Sequence, residues 1–422
     1  MTPIRALQFF QVLRFGTFFL TGILFTKLGL STYEIGIYEA LLFLGSVLSF
    51  FWLSGLTQSL LANYQPNERS KEFFNAFLVL SGLSVLVFIA FRLLITPYSF
   101  MANNPEVLAY YATFSFYLLF IGPSFLAEYM LLLKEKSKGL ALYGVVAFGI
   151  QLAAVAMPIA LGYGLEEAVL GLVLSSIVRF IITIGLLFKY AEFKVDQGFI
   201  QQFLITAGPL MAATLLSGSA EYLDGFIVSK YFDEGTFAIY RYGAKEFPLV
   251  LLLANAFSNG MVPKVAQLGV AEAVKTIKQE SLKLMHLFFP VSIGFMLVSE
   301  WIYPRVFNSD FVESAAVFNV YLLLVVSRLV FPQTLLIGLN RTKTIMAVAG
   351  LELAVNFGLS ILFVQQFGLV GIAFATVIAS ILDKLVLMIW LKSSEGISPT
   401  DYWPWKWHLA YSVVIGLAYW LS

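Results

Sequence analysis

Residues 76–90 read Ala-Phe-Leu-Val-Leu-Ser-Gly-Leu-Ser-Val-Leu-Val-Phe-Ile-Ala, a run without a single charge. A second run, residues 345–364, has one charge within it, Glu352. Apolar runs of about 20 residues match the roughly 30 Å hydrocarbon core of a bilayer, because a helix rises about 1.5 Å per residue. Such runs recur along the chain, so the sequence predicts an all-α integral membrane protein.

The composition supports this class and excludes several others. Of the 422 residues, 59% are hydrophobic and 12% are charged, whereas an ordinary soluble domain has roughly 25% charged residues. The net charge of +1 provides no basic field for nucleic acid. The absence of cysteine excludes disulfides, thiolate catalysis and Cys-ligated zinc. The two histidines, His286 and His408, lie far apart, so we expect neither a metal nor a cofactor.

The apolar stretches predict about twelve transmembrane helices, joined by short turns into antiparallel hairpins. The predicted spans are 4–28, 36–62, 73–95, 107–133, 139–162, 168–189, 200–229, 237–262, 284–303, 315–338, 344–366 and 369–391. Residues 271–284 have one apolar side, which suits a helix on the cytoplasmic face. Residues 409–421 follow a tryptophan-rich stretch and make roughly 20 Å of helix. We expect this last stretch to be a short thirteenth helix or an interfacial one.

The distribution of lysine and arginine predicts the orientation. The loops on one side, with the two tails, carry sixteen of them: Arg5, Arg69, Lys71, Lys134, Lys136, Lys138, Lys189, Lys194, Lys264, Lys275, Lys278, Lys283, Arg341, Lys343, Lys392 and Lys406. The opposite loops carry three, Lys27, Lys230 and Arg305. We therefore place the N-terminus in the cytoplasm and interpret the first span as a retained helix, not a cleaved signal.

The chain repeats itself at an offset near half its length. Residues 20–27 (LTGILFTK) resemble residues 223–230 (LDGFIVSK), and Tyr117-Leu-Leu is matched by Tyr321-Leu-Leu. Six helices per half is an even number, so both halves have the same orientation and form a parallel repeat. The repeat predicts two six-helix lobes, 1–190 and 199–392, followed by a C-terminal tail, 393–422.

Charged residues lie inside the predicted spans, where each costs at least a few kcal/mol unless it faces a bundle interior or a wet cavity. They are Arg14, Arg92, Arg179, Arg241, Lys245, Arg328, Lys384, Glu39, Glu128, Glu221, Asp224, Glu246, Glu300, Glu352 and Asp383. This number favours a hydrated central cavity. The alternative is that many of them pair with one another.

Helices 7 and 8 of the prediction place acids opposite bases. Glu221 and Asp224 share one helix face, and Arg241 and Lys245 share another. Counted inward from the turn, Asp224 and Arg241 lie at about 8–9 Å depth, and Glu221 and Lys245 at about 14 Å. We expect two acid–base pairs at matching depths, which either bind an anionic head group or only staple the hairpin.

Two further arginines are candidate ligands for an anion. Arg14 lies near mid-membrane on a polar stripe of helix 1, which suits a cavity wall; the alternative is bonding to a neighbouring helix. Pro332 cannot donate to the carbonyl of Arg328, so we expect a kink there that exposes an acceptor beside a cation.

Residues 338–376 carry a family resemblance. The basic turn Gly-Leu-Asn-Arg-Thr-Lys (338–343) precedes an apolar helix with a mid-span Asn356, followed by Phe-Gly-Leu-Val-Gly-Ile-Ala-Phe-Ala-Thr (367–376). These features, and Asp224 followed by Ile239-Tyr240, resemble the polysaccharide flippases of the multidrug/oligosaccharidyl-lipid/polysaccharide (MOP) exporter superfamily. The resemblance implies a V-shaped pair of lobes around a central cavity. It also implies an undecaprenyl-pyrophosphate-linked oligosaccharide as substrate, moved from the cytoplasmic to the outer leaflet of the bacterial inner membrane.

A pyrophosphate group requires cations in a low-dielectric site. Arg14, Arg241, Lys245 and Arg328 are the candidates for substrate binding. The related lipid II flippases resemble this pattern in using cations on helices 1, 2 and 8, but helix 2 here carries an acid, Glu39.

Two alternative functions remain open at this point. A multidrug antiporter of the same superfamily would use Glu221, Asp224 or Glu352 to bind H⁺ or Na⁺, and would need no cation cluster. A membrane sugar polymerase or ligase usually has a long outer loop that houses its site. Because the outer loops here are short, we do not expect an enzyme.

Overall fold

The computed structural model describes residues 3–98, 105–244, 269–339 and 341–422, together with positions 250, 253–255, 257–258, 260–262 and 265. The elements of this part are helices, with one isolated bridge between Ser70 and Ala191. In chain order we label them α1 (Pro3–Lys27), α2 (Thr32–Asn63), α3 (Lys71–Tyr98), α4 (Pro105–Ser124), α5 (Leu126–Leu133), α6 (Ser137–Ala160), α7 (Leu165–Tyr190), α8 (Gln197–Tyr231), α9 (Glu234–Gly243), α10 (Val270–Val306), α11 (Val312–Leu322), α12 (Val325–Arg328), α13 (Pro332–Gly338), α14 (Thr342–Glu395), α15 (Pro399–Tyr402) and α16 (Trp405–Leu421).

Ten helical ranges among the described residues are long and apolar enough to cross a membrane, judged by length and composition. The prediction of an all-helical, multi-pass membrane protein is therefore confirmed. The 54-residue α14 contains two helices that meet at Gly368, whose φ is 60°. Glycine suits this position because a Cβ disfavours positive φ. The break falls between the spans predicted at 344–366 and 369–391, whereas the span predicted at 237–262 lies largely outside the described residues.

The helix at the start of the second half is longer than the sequence pattern indicates. We expected residues 271–284 to form a separate helix on the membrane surface, but they are continuous with the following span in the 37-residue α10. At 1.5 Å per residue α10 is about 55 Å long, which exceeds the hydrocarbon core. The helix expected over residues 271–284 is therefore present, but as an extension of the span and not as a separate element.

Helix breaks occur where proline removes a backbone donor. Helix α4 contains Pro123 and ends at Ser124, and α5 begins after Phe125. Helix α12 ends at Arg328 and α13 begins at Pro332. The predicted kink at Arg328 is confirmed, since proline cannot continue the hydrogen-bond ladder of the preceding turn.

The chain forms two compact units. The first comprises residues 1–218 and 233–238, and the second comprises residues 219–232 and 239–422. Relative to the two lobes expected from the repeat, residues 199–218 and 233–238 belong to the first unit. In the first unit α1 packs on α6, and α7 packs on both α4 and α6. In the second unit α10 packs on α11 and α16, and α14 packs on α11 and α13.

The same kind of close helix contact occurs in each unit. A Cβ added to Gly171 would collide with the backbone carbonyl of Ala154, and one added to Gly371 would collide with that of Phe363. These two glycines are matched in the sequence repeat. Small residues let the backbones of neighbouring membrane helices approach closely, so each glycine fixes a hairpin in its own unit.

The C-terminal tail forms a helix that packs on the second unit. Tyr411 of α16 stacks on Phe289 of α10, with ring centroids 5.0 Å apart. The Nε2 atom of His408 lies 2.8 Å from the carbonyl oxygen of Val326, close to the helix break before Pro332. A ring nitrogen that bonds a carbonyl must carry a hydrogen. His408 is buried and thereby satisfies an acceptor at the interrupted helix.

Candidate functional site

A buried polar cluster surrounds Asp224 in the second unit. Its Oδ2 atom lies 2.7 Å from the hydroxyl of Tyr321 and 2.5 Å from the hydroxyl of Thr376. Its Oδ1 atom accepts from Nδ2 of Asn356 at 3.2 Å. Asp224 is 4% exposed and Asn356 is 2% exposed, so the contacts lie inside the helix bundle of the unit.

A second layer of polar groups supports this first layer. The hydroxyl of Tyr240 lies 2.6 Å from that of Tyr321. The hydroxyl of Ser360 donates to Oδ1 of Asn356 at 3.1 Å, and Oγ1 of Thr376 lies 3.3 Å from the same oxygen. Helices α8, α9 and α11 and both halves of α14 therefore meet at one carboxylate.

The partners of Asp224 that the structure describes are neutral hydroxyl and amide groups. A buried carboxylate without a cation costs several kcal/mol, and such a group ordinarily takes up a proton or a cation. Carboxylate, amide and hydroxyl oxygens are ligands suited to hard cations. One carboxylate balances one positive charge, so the cluster has the chemistry to hold H⁺ or a monovalent cation.

The expected pairing of Asp224 with Arg241 was wrong. Tyr321, Asn356 and Thr376 occupy the positions around the carboxylate at which we expected the guanidinium. Arg241 is half-buried beside Tyr240, with which it interacts electrostatically. The pattern misled us because depth counted from a turn fixes height along the helix but leaves the direction of the side chain open.

Two other predicted site residues fall outside what the structure describes. Lys245 lies outside the described residues, and the side chain of Glu221 does so as well. The second acid–base pair of the prediction, Glu221 with Lys245, therefore stays a prediction.

A second charged centre lies in the first unit. The guanidinium of Arg14 forms an ion pair with the carboxylate of Glu128, and the two side chains are 22% and 2% exposed. Arg179 of α7 donates through Nε to the hydroxyl of Tyr143 at 3.3 Å. Arg179 also interacts electrostatically with Glu128. Among the residues that the structure describes, this centre brings two cations, Arg14 and Arg179, to the carboxylate of Glu128.

Aromatic rings surround the Arg14 guanidinium. Its Cζ atom lies 5.0 Å from the ring centroid of Phe10 and 4.9 Å from that of Phe125. Cation–π contacts of this kind contribute about 0.5–2 kcal/mol each. They hold the cation in an apolar unit while one side of it stays accessible.

The remaining candidates, Arg328 and Glu352, occur together in the second unit. Glu352 interacts electrostatically with Asp383, Lys384 and Arg328. Lys384 forms an ion pair with Asp383 at 2.8 Å. Among the described residues, this cluster combines the acids Glu352 and Asp383 with the bases Lys384 and Arg328, so its formal charges balance.

Sequence reasoning identified Asp224 but missed the group that surrounds it. Asn356, Thr376, Tyr240 and Tyr321 all appeared in the motifs or in the repeat, yet nothing in their spacing showed that they meet. A usable signal is the polar pair Asn356 and Ser360, which are four residues apart on one face of an apolar helix.

Comparison with known proteins gives one family match and one sequence relative. Residues 29–316, about two thirds of the chain, match the family described as Polysaccharide biosynthesis protein. A probable lipid II flippase MurJ from Bdellovibrio bacteriovorus is 30% identical over 168 residues. That match covers 36% of this chain and 31% of the relative, so the chain spans less than a third of the length of this curated relative.

Solved structures share the fold over most of the chain. The lipid II flippase MurJ in an inward closed conformation is similar with a TM-score of 0.68 and 18% identity, covering 98% of this chain and 91% of that one. An inward-facing multidrug resistance MATE family transporter of the MOP superfamily is similar with a TM-score of 0.66 and 14% identity, covering 92% of this chain and 97% of that one. At these identities the likeness shows the fold.

Proposed function

Because the chain belongs to the polysaccharide biosynthesis protein family of the MOP superfamily, we propose that it is a lipid-linked oligosaccharide flippase. It moves an undecaprenyl-pyrophosphate-linked oligosaccharide from the cytoplasmic to the outer leaflet of the bacterial inner membrane by alternating access. Surface polysaccharides such as capsule or O-antigen are the products that require this step. The N-terminus is cytoplasmic in this proposal, as the distribution of lysine and arginine indicates.

The proposal includes twelve spans in two lobes. Ten ranges among the described residues qualify by length and composition. One of them contains two helices that meet at Gly368, so the ten ranges support eleven of the twelve spans. The twelfth span of the proposal is the stretch predicted at 237–262. The lobes 1–190 and 199–392 and the tail 393–422 are retained as the functional division.

The observation that carries transport is the environment of Asp224. A carboxylate that is 4% exposed and bonded to neutral donors is maintained inside an apolar helical unit at a considerable free-energy cost. Ionisable groups inside membrane helices commonly mark ion pathways. Asp224 is therefore our first candidate for the coupling ion, H⁺ or Na⁺, with Glu221 and Glu352 as the further candidates.

Arg14, Arg241, Lys245 and Arg328 are the proposed ligands of the pyrophosphate group. Arg14 has the strongest support, since its guanidinium is partly accessible and a second cation, Arg179, interacts with the same carboxylate, Glu128. Charge-assisted hydrogen bonds from arginine to phosphate are roughly twice as strong as neutral ones.

A multidrug antiporter is the second candidate, and the fold shared with a multidrug resistance transporter favours it. Such a protein would also use Asp224 for the coupling cation. It would carry organic cations, which the two arginines of the first unit's charged centre, Arg14 and Arg179, would repel.

Reconstitution distinguishes the two functions. The full-length protein would be placed in liposomes with a fluorescent isoprenoid-diphosphate oligosaccharide, and an impermeant reductant would report which leaflet holds the label. We expect label to exchange between leaflets only in the presence of the protein. Transport of an organic cation without exchange of the lipid would overturn the flippase in favour of the antiporter.

A further inference from the structure

In the charged centre of the first unit, Arg14 and Arg179 both interact with the carboxylate of Glu128. Arg179 is 4% exposed, and its Nη2 atom has no hydrogen-bond partner among the described residues. A buried guanidinium nitrogen without an acceptor carries a desolvation cost of a few kcal/mol. Such a group in a native structure calls for an explanation, and an acceptor supplied in another state of the protein is one.

The two guanidiniums lie near the same pair of rings. The Cζ atom of Arg14 is 4.9 Å from the centroid of Phe125 and 6.0 Å from that of Phe148. For Arg179 the corresponding distances are 5.8 Å and 5.4 Å. Both cations interact with Glu128, so this carboxylate has two possible partners within a small volume.

Accessibility separates the roles of the two arginines. The Arg14 side chain is 22% exposed, whereas Arg179 is buried and anchored through Nε to the hydroxyl of Tyr143. An anion that approaches the centre can therefore reach Arg14 but cannot reach Arg179. Because Glu128 is already paired with Arg14, an incoming anion must compete with this carboxylate for the Arg14 guanidinium.

We propose that Glu128 is exchanged between the two arginines: when the diphosphate group of the substrate binds Arg14, Glu128 moves to the unpartnered Nη2 of Arg179. This inference rests on the proposed function and assigns a positioning role to two residues outside the ligand site. In the free state Arg14 pairs with Glu128, and in the bound state Arg14 pairs with the diphosphate. Arg179 then pairs with Glu128, so binding leaves no carboxylate buried alone.

The exchange makes a specific prediction about ligand affinity. Removing the carboxylate with Glu128→Gln removes the competitor, so an anionic ligand should bind more tightly. The substitution Arg179→Gln removes the second partner of Glu128. When the ligand then binds Arg14, the Glu128 carboxylate is left buried without a cation, so the ligand should bind more weakly. Couplings between sites in proteins commonly amount to about 5- to 150-fold in affinity.

A double-mutant cycle tests the exchange on the full-length protein in detergent, with farnesyl pyrophosphate as the probe and its Kd as the readout. We expect Arg179→Gln alone to weaken binding by about fivefold or more. In a Glu128→Gln background Arg179→Gln should have no effect on the Kd, because no carboxylate remains for Arg179 to bind. Arg92→Gln is the matched control, since Arg92 also lies between two rings of the first unit, Phe88 and Phe116.

The outcomes separate this inference from the proposed function. Arg14→Gln should abolish binding; if it does not, the head-group site of the flippase proposal is wrong. If Arg14→Gln abolishes binding but Arg179→Gln weakens it equally with and without Glu128, the exchange is refuted while the flippase stands. A merely structural Arg179 would lower the melting temperature without this dependence on Glu128. If the Arg179→Gln variant does not fold, the Glu128→Gln variant alone tests the exchange. It should bind the probe more tightly than wild type, and unchanged or weaker binding would overturn the exchange.

Discussion

The hydroxyl of Tyr321 donates to Oδ2 of Asp224 at 2.7 Å, although 97 residues separate the two along the chain. The contact joins α8 to α11 and brings the second tyrosine, Tyr240, into the same network. The first half has tyrosines at matching positions, since Ile37-Tyr38 answers Ile239-Tyr240 and Tyr117 answers Tyr321. Tyr38 and Tyr117 lie near each other in the first unit. The repeat places Thr21 opposite Asp224, and the acid that acts on Tyr38 is Glu39. The two halves thus place the acid at different positions of the repeat.

Asp224→Asn should abolish export while leaving the protein in the membrane. Asparagine keeps the shape and can still accept from Tyr321, but it cannot take up a proton or balance a cation. A loss of about 1.4 kcal/mol in binding of the coupling ion is already a tenfold change in affinity. We therefore expect surface polysaccharide to fall by about tenfold or more, measured beside protein level by immunoblotting. The charge swap Asp224→Arg with Arg241→Asp should not restore export, because the partners of Asp224 are hydroxyl and amide groups. Recovery of export by the swap would contradict this site.

Tyr321→Phe should destabilise the second unit more than a matched tyrosine change does. The substitution removes a donor to a carboxylate and leaves the hydroxyl of Tyr240 without this partner, which should cost about 1.5–3 kcal/mol. Tyr303→Phe is the control, because the hydroxyl of Tyr303 is also buried but donates to the neutral backbone carbonyl of Tyr242 at 3.0 Å. Thermal unfolding in detergent measures both, and equal losses would argue against a charged Asp224.

Neutralising the proposed pyrophosphate ligands should block export. Arg14→Gln, Arg241→Gln and Lys245→Gln each retain polar atoms but remove the charge that phosphate binding requires. Export should fall with protein level unchanged. Arg305→Gln provides a control, since Arg305 is a cation that stacks on Trp301 at 4.1 Å near the end of α10. Normal export by all three variants would contradict the cation site.

His408→Ala should loosen the C-terminal helix from the second unit. The imidazole bonds the carbonyl of Val326 at 2.8 Å, so its removal leaves a backbone acceptor beside a helix break without this partner. We expect a loss of about 1–3 kcal/mol, measured by thermal unfolding. His286→Ala should cost less because His286 is exposed. Similar losses from both variants would mean that the bond to Val326 contributes little.

The stability contribution of Asp196 should depend on pH. The hydrogen bond from Lys71, with that from the backbone N–H of Phe199, holds the pKa of Asp196 below its usual value. A lowered folded-state pKa adds stability that is fully present above the unfolded value, about 3.9, and is lost as pH falls through the folded value. Wild type should therefore exceed Asp196→Asn in stability at pH 7. The difference should shrink below about pH 3.9 and vanish once the pH is below the folded-state pKa of Asp196. A difference that persists in acid would contradict the assignment.

Much of the fold followed from local pattern. Hydrophobic run length predicted the spans, and Pro332 predicted the break after Arg328. Gly368, where α14 breaks, lies in the gap between the spans predicted at 344–366 and 369–391. Each of these depends on interactions within a few residues, or on the thickness of the bilayer. The 37-residue α10 was missed because an amphipathic segment and an apolar span continue one another without a local signal for a break.

The sequence by itself determined that this chain crosses a membrane many times and that Asp224 and Arg14 are charges inside it. Only the tertiary structure decided their partners: Tyr321, Asn356 and Thr376 for the acid, and Glu128 for the arginine. The physical reason is that burial of a charge is a local property of an apolar run. Which group compensates the buried charge depends on the faces that two helices turn toward each other, although about a hundred residues separate those helices in the sequence. The spacing of residues along one helix defines its faces but does not show toward which neighbouring helix each face is rotated.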